Sequence, residues 1–166
     1  MRTKYIGLAA VLVLGLISCG IYKFKDASFP PDIKTIKLNF IDNKARYINA
    51  QLAPKLNERL QQKLISQTPL KRSTADDADY VISGQITDYS VSTSGVVNNQ
   101  VSTNNLNVSI HIVLKDNKHQ EEKEHDVTKS FPFPGQSSLQ QVETTLTDEI
   151  VRGMSDEIFN RLFSNW

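Results

Sequence analysis

Few residues of this chain are of types that do chemistry, and their spacing limits what that chemistry can be. His111, His119 and His125 lack the spacing of a metal-binding pair such as H-E-x-x-H. The last two stand among Glu121, Glu122, Glu124 and Asp126, in what reads as a solvated turn, so no metal site is expected. Asp76, Asp77 and Asp79 have acid/base chemistry in principle, but consecutive loop carboxylates ordinarily stay solvated and unshifted. No G-x-S-x-G elbow offers a nucleophilic serine, and no G-x-G-x-x-G or P-loop spacing offers a phosphate cradle. The sequence therefore names no catalytic residue and no cofactor. Cations are more suggestive. Lys55, Arg59 and Lys63 recur every four residues, with Lys71 and Arg72 shortly beyond. Such donors suit phosphate groups, bidentate arginine above all, although charges opposite an apolar helical stripe are also what any solvated face shows.

Cys19 is the only cysteine, so no intrachain disulfide can form and packing alone must stabilise the domain. It follows a short positive region, Arg2 and Lys4, and an apolar run from Ile6 to Ile17. That run is too short for a membrane-spanning helix of ~20 residues and suits the core of a signal peptide. Leu16-Ile17-Ser18-Cys19-Gly20 resembles the lipobox of bacterial lipoproteins. The resemblance implies that the thiol of Cys19 is diacylated and that the chain is cut just before it. More than one acyl chain makes such an anchor effectively stable. The expected division is a signal peptide over residues 1–18, a tether over 19–33 and one domain over 34–166. Removing residues 1–18 takes away Arg2 and Lys4, which moves the formal charge from +1 to −1. A near-neutral chain with no basic domain argues against nucleic acid as a partner. In the tether, Ile21, Tyr22, Phe24 and Phe29 are too apolar for a free linker, while Pro30-Pro31 favour extended backbone.

The elements that must position these residues follow from periodicity. Ile36, Leu38 and Phe40 alternate with polar residues as a first strand, and Asp42-Asn43-Lys44 reads as a turn. Leu52, Leu56, Leu60 and Leu64 define a helix over about 51–67 with Pro54 in its first turn. Tyr80, Ile82 and Ile86 share one face of a second strand, and the changed parity of Tyr89 and Val91 implies a bulge near Asp88. A polar stretch around Val96 and Val97 then leads to the alternation of Leu106, Val108, Ile110, Ile112 and Leu114, a hairpin with a long tip over 92–105. Val96 and Val97 at that tip are candidates for insertion into a partner or a lipid. Val127, Phe131 and Phe133 form a fourth strand with Pro132 and Pro134 at its end. Ser137 or Ser138 caps a final helix that carries Leu139, Val142, Leu146, Ile150, Met154, Ile158 and Leu162 on one face. The expected fold is α+β: a two-layer sandwich with a four-stranded, mainly antiparallel sheet and two amphipathic helices on one face. The other face, with Lys37, Asn39, Asn107, Ser109, His111, Thr128 and Ser130, is wet or meets a partner.

Taken in order, Cys19-Gly20-Ile21-Tyr22-Lys23-Phe24, Asp32-Ile33-Lys34-Thr35-Ile36, the helix end Leu64-Ile65-Ser66-Gln67-Thr68-Pro69-Leu70, the Tyr80–Tyr89 strand with Gly84, and the ending Asp156-Glu157-Ile158-Phe159-Asn160 to Asn165-Trp166 resemble the LptE family of lipopolysaccharide-assembly lipoproteins, in its Bacteroidetes-like form. The resemblance implies a protein that is not an enzyme. It implies one that plugs and helps assemble the LptD-type outer-membrane β-barrel and binds lipopolysaccharide on its way to the outer leaflet. Gly20-Ile21-Tyr22-Lys23 carries no acidic run of the kind that directs some lipoproteins to the cell surface, so the periplasmic side of the outer membrane is expected. The alternative is a periplasmic lipoprotein adaptor of another envelope complex, either an auxiliary lipoprotein of an ABC lipid transporter or a secretin pilotin.

Overall fold

The computed structural model describes residues 29–97 and 100–164. The element order is β1 (Thr35–Leu38), β2 (Asp42–Asn43), α1 (Leu52–Gln67), β3 (Lys71–Arg72), β4 (Tyr80–Val97), β5 (Gln100–Asp116), β6 (Glu121–Pro134) and α2 (Leu139–Phe163). The strands form one sheet in the order β3-β1-β4-β5-β6, with β2 also paired to β4. The architecture is α+β as expected, but the sheet has six strands rather than four. Asp42-Asn43 is not a turn: it pairs in parallel with Gln85-Ile86 and prolongs the line of β1. Lys71-Arg72 adds a parallel edge beside Thr35-Ile36. The charged turn is also shorter than expected, because β6 already begins at Glu121 and places His125 opposite Ile112.

The meander β4-β5-β6 is antiparallel throughout, and the bulge expected near Asp88 is a register shift between Ile86 and Asp88. Its inner row comprises Ile82, Ile86, Tyr89, Leu106, Val108, Ile110, Ile112, Val127 and Phe131, all buried. Burying that row against two helices supplies the main stabilisation, at roughly 25 cal/mol per Å² of apolar surface. Gly84 lies in the same row for a steric reason. A Cβ there would sit 2.5 Å from the carbonyl oxygen of His111 and 2.9 Å from Ile112 Cδ1.

Helix α1 buries Leu52, Leu56, Leu60 and Leu64, the stripe that the sequence marks. Its start is capped from outside the helix. Asn49 Oδ1 accepts from the backbone N–H groups of Gln51 and Leu52 at 2.9 and 3.2 Å. Asn57 then ties the helix to the β1–β2 connection, accepting from the Ile41 N–H at 2.9 Å and donating to its carbonyl at 3.0 Å. Helix α2 opens on the anticipated capping box, with Ser138 and Gln141 as reciprocal partners. Its buried surface is wider than the single stripe expected. Thr147, Val151, Ser155, Phe159 and Phe163 are buried beside Val142, Ile150, Met154 and Ile158, because α2 packs on both α1 and β6. The chain enters the domain at the C-terminal end of α2: Phe29 packs on Phe163 with tilted rings 5.2 Å apart, and Ile33 is buried.

Candidate functional site

Three surfaces carry the residues that the sequence singles out. The first is an open groove of about 480 Å³ between the helices, lined by Lys55, Glu58, Arg59 and Gln62 from α1 and by Asp148, Glu149, Val151 and Arg152 from α2. The leucine stripe of α1 turns toward the sheet, so the neighbouring row of cations turns toward α2. Lys55 Nζ reaches Asp148 at 3.1 Å. Lys63 Nζ reaches Asp156 at 2.7 Å and lies 5.1 Å from the centre of the Phe159 ring. Two members of the stripe are thus engaged with α2. Arg59 and Arg152 line the groove with no ion-pair partner among the described residues. Lys71 and Arg72 are exposed on the edge strand β3, where Arg72 flanks a shallow pocket with Leu38, Phe40 and Asn57. Glu58 and Gln61 of α1 line that pocket as well, so β3 borders a second depression that shares Glu58 with the helical groove.

The second surface is the uncovered face of the sheet, where a polar network crosses three strands. Asn107 Nδ2 donates to Ser92 Oγ at 2.9 Å, and Ser130 Oγ donates to Asn107 Oδ1 at 2.7 Å. Ser109 and Thr128 share a hydrogen bond of 2.9 Å. His111 Nδ1 lies 2.9 Å from Asp126, and its Nε2 lies 3.8 Å from Glu124. This positioned imidazole has carboxylates at both nitrogens. Among the described residues, no group of three or more His, Cys, Asp and Glu is arranged to hold a metal ion.

The third surface surrounds Asp32 to Thr35, just before and at the start of β1, and it corrects two expectations. Asp79 is not a solvated carboxylate. Its side chain is only 14% exposed, and its Oδ2 accepts from the backbone N–H groups of Lys34 and Thr35 at 2.8 and 2.9 Å. Thr35 Oγ1 accepts in return from the Asp79 N–H at 2.9 Å. The Lys34 N–H, against the opposing effect of burial and with help from Thr35 and Lys118, holds the Asp79 carboxyl below its ordinary range. Asp76 is also held low, by its hydrogen bond to Lys37. Nor is His119 a free turn residue. Its Nδ1 lies 2.7 Å from Asp116, its Nε2 lies 3.2 Å from Asp32, and the Asp116 hydrogen bond raises its pKa. Burial pushes Asp116 upward, but the His119 ring and the backbone N–H groups of His119 and Lys118 outweigh it and hold the carboxyl low.

At the foot of the hairpin, Asn49 Nδ2 donates to the Tyr89 hydroxyl at 3.2 Å and to Glu143 at 3.1 Å. Tyr47 stacks on Tyr89 with ring centres 5.7 Å apart. Burial drives the Tyr89 hydroxyl pKa upward, so it stays a neutral donor and acceptor. No sequence motif marked this cluster, since its members are scattered over a hundred residues. Val96 and Val97 end β4, and their side chains lie outside the described residues. Cys19, with Ile21, Tyr22 and Phe24, also lies outside them. No described helix is long and apolar enough to cross a membrane.

Comparison with known proteins places this geometry. The family model described as "LptE: Lipopolysaccharide-assembly" matches residues 33–162. No curated protein matches the sequence. Among solved structures, a Xanthomonas campestris protein superposes with a TM-score of 0.57 at 8% identity, covering 81% of this chain and 88% of its own. The rare lipoprotein B of Shewanella oneidensis superposes at 0.51 with 11% identity, covering 76% and 92%. A Chlamydia trachomatis protein superposes at 0.50 with 10% identity, covering 80% and 99%. At such identities these likenesses concern the fold alone.

Proposed function

The chain belongs to the LptE lipopolysaccharide-assembly family, and on that premise we propose that it is an outer-membrane lipoprotein that plugs and helps assemble an LptD-type β-barrel. One observation carries this reading: the family match runs from Ile33 to Leu162, through every strand and both helices of the domain. Acylated Cys19 anchors the protein to the periplasmic side of the membrane, and the tether root fixed by Asp79 and His119 sets where the domain hangs from that anchor. Within the helical groove, Arg59 and Arg152 contact the phosphates of lipopolysaccharide, because Lys55 and Lys63 are already engaged by Asp148 and Asp156. The role is binding and assembly rather than turnover. A mild-detergent pull-down of the acylated protein from its own outer membrane, with mass spectrometry of partners and of the Cys19 peptide, tests this. A large β-barrel recovered in equal amount supports the plug. An inner-membrane transporter or a secretin in its place favours the adaptor.

A further inference from the structure

Strand β6 is the last strand of the sheet on its side, and among the described residues nothing pairs with its outer edge over Glu121–Pro134. The phase of that edge can be read from two prolines. In an antiparallel ladder each residue directs both its N–H and its C=O to the same neighbour, alternately inward and outward. Pro132 and Pro134 stand opposite Asn105 and Thr103, and neither has an N–H to give to β5. Even-numbered residues of β6 therefore turn their backbone groups away from β5. The register between β5 and β6 runs unbroken from Thr103↔Pro134 to Asp116↔Glu121, so this phase holds along the whole strand. The carbonyl of Pro134 agrees with it, since it turns from the sheet to accept from the Ser137 N–H at 3.0 Å.

Glu122, Glu124, Asp126, Thr128 and Ser130 thus present a row of unpaired donors and acceptors about 27 Å long at ~3.4 Å per residue. We propose that this edge of β6 takes up an extended segment of a partner protein as an additional strand, and that the segment carries basic residues at alternate positions. The edge is the site, and the side chains select its occupant. Those sharing the phase of the free backbone groups point to the uncovered face, and the first three are the carboxylates Glu122, Glu124 and Asp126. Glu124 and Asp126 are 61% and 80% exposed. A strand laid beside them places its own alternate side chains directly opposite, where unlike charges stabilise and like charges repel. A second copy of β6 in an antiparallel pairing centred on Asp126 would set Asp126 against Asp126 and Lys123 against Lys129, which disfavours that pairing of two copies. Strand addition draws affinity from the main chain and specificity from alternate side chains, which is the division found here. The inference does not rest on the proposed barrel, since it concerns the edge whichever envelope partner supplies the segment.

The test uses the full-length acylated chain in detergent micelles and a capped peptide of alternating threonine and lysine, about ten residues long to match the edge. The readout is hydrogen exchange at individual amides. The peptide is expected to slow exchange at Glu122, Glu124, Asp126 and Thr128, and an alternating threonine–glutamate peptide is expected not to. Thr128→Pro removes one outward N–H and the exposed side-chain bond to Ser109 while leaving the backbone ladder to β5 and the carboxylates in place, and it is expected to weaken binding at least tenfold with the fold intact. If that variant does not fold, Ser130→Pro, next to the existing prolines, takes its place. Equal binding by wild type and the proline variant would reduce the effect to charge attraction and overturn strand addition. Slowed exchange with the acidic peptide, or none with the basic one, would also overturn the proposal and leave the charges as guards of a bare edge.

Discussion

Lys63 of α1 places its ammonium 2.7 Å from the Asp156 carboxylate of α2 and 5.1 Å from the centre of the Phe159 ring. One side chain thus joins the helices by charge and by cation–π contact, and its partners leave it no freedom to follow a ligand. Lys63→Ala is therefore expected to lower stability by about 1–2 kcal/mol, from the lost charged hydrogen bond and ring contact. A denaturation midpoint measures this, and a change under about 0.5 kcal/mol would reduce the bridge to an ordinary surface pair.

Arg59 behaves oppositely. It lines the groove without an ion-pair partner among the described residues, so Arg59→Glu is expected to leave stability within about 0.5 kcal/mol. The same change should weaken lipopolysaccharide binding about tenfold, the order expected for one charge-assisted contact. The titration belongs at low salt, where screening is weakest. Unchanged affinity for Arg59→Glu combined with Arg152→Glu would remove the groove as the binding surface.

Gly84 has no room for a methyl group, since a Cβ would approach the His111 carbonyl oxygen to 2.5 Å. That neighbour is backbone in the middle of the sheet and cannot swing aside. Gly84→Ala should cost about 1–3 kcal/mol by overpacking. Chemical unfolding reads the loss, and a midpoint equal to wild type would contradict the close approach.

Stability should fall on both sides of a mildly acidic optimum. Asp79 has a folded pKa below its unfolded value, held there chiefly by the Lys34 N–H, so its contribution is complete above about pH 4 and is lost as pH falls through the folded value. His119 has a raised folded pKa, owing chiefly to Asp116. Its contribution is complete below about pH 6.5 and is lost as pH rises through that raised value. Asp79→Ala leaves two N–H groups without their acceptor and should cost about 1–3 kcal/mol at neutral pH while flattening the acid limb. His119→Gln should flatten the neutral limb and, by removing the ring that holds Asp116 low, part of the acid limb as well. A pH series of unfolding midpoints in which both variants track the wild type would contradict the two clamps.

The alternating rows of β4, β5 and β6, the leucine stripe of α1, the bulge at Asp88 and the capping box of α2 were legible because each repeats a period or a motif over several residues. Strands β2 and β3 were not, since Asp42-Asn43 and Lys71-Arg72 are two residues each and two residues have no period. Asp42-Asn43 has turn composition, yet its backbone pairs with Gln85-Ile86 because Asn57 pins Ile41 beside the sheet. Phe159 and Phe163 were missed as core because they lie on a second stripe, covered by Lys63 of α1, Tyr80 of β4 and Phe29, groups distant in sequence. At the candidate sites, the spacing of Lys55, Arg59 and Lys63 located the helical groove but not the acids of α2 that occupy two of them. Asp79 read as solvated because Lys34 and Thr35, which hold it, are far away in sequence; His119 read so because its chief partner, Asp116, is close by but belongs to a charged turn with no recognisable motif, and Asp32 is distant.

A plug touches its barrel on every side, whereas an adaptor touches its partner on one. Photoreactive residues placed singly at Ser109 on the open sheet face, Glu149 in the helical groove and Lys71 on the β3 edge probe three different directions of the same domain. Crosslinking in intact cells, followed by mass spectrometry of the adducts, is predicted to join all three positions to one LptD-type barrel. Adducts from a single position, or adducts to an inner-membrane transporter or a secretin, would contradict the plug.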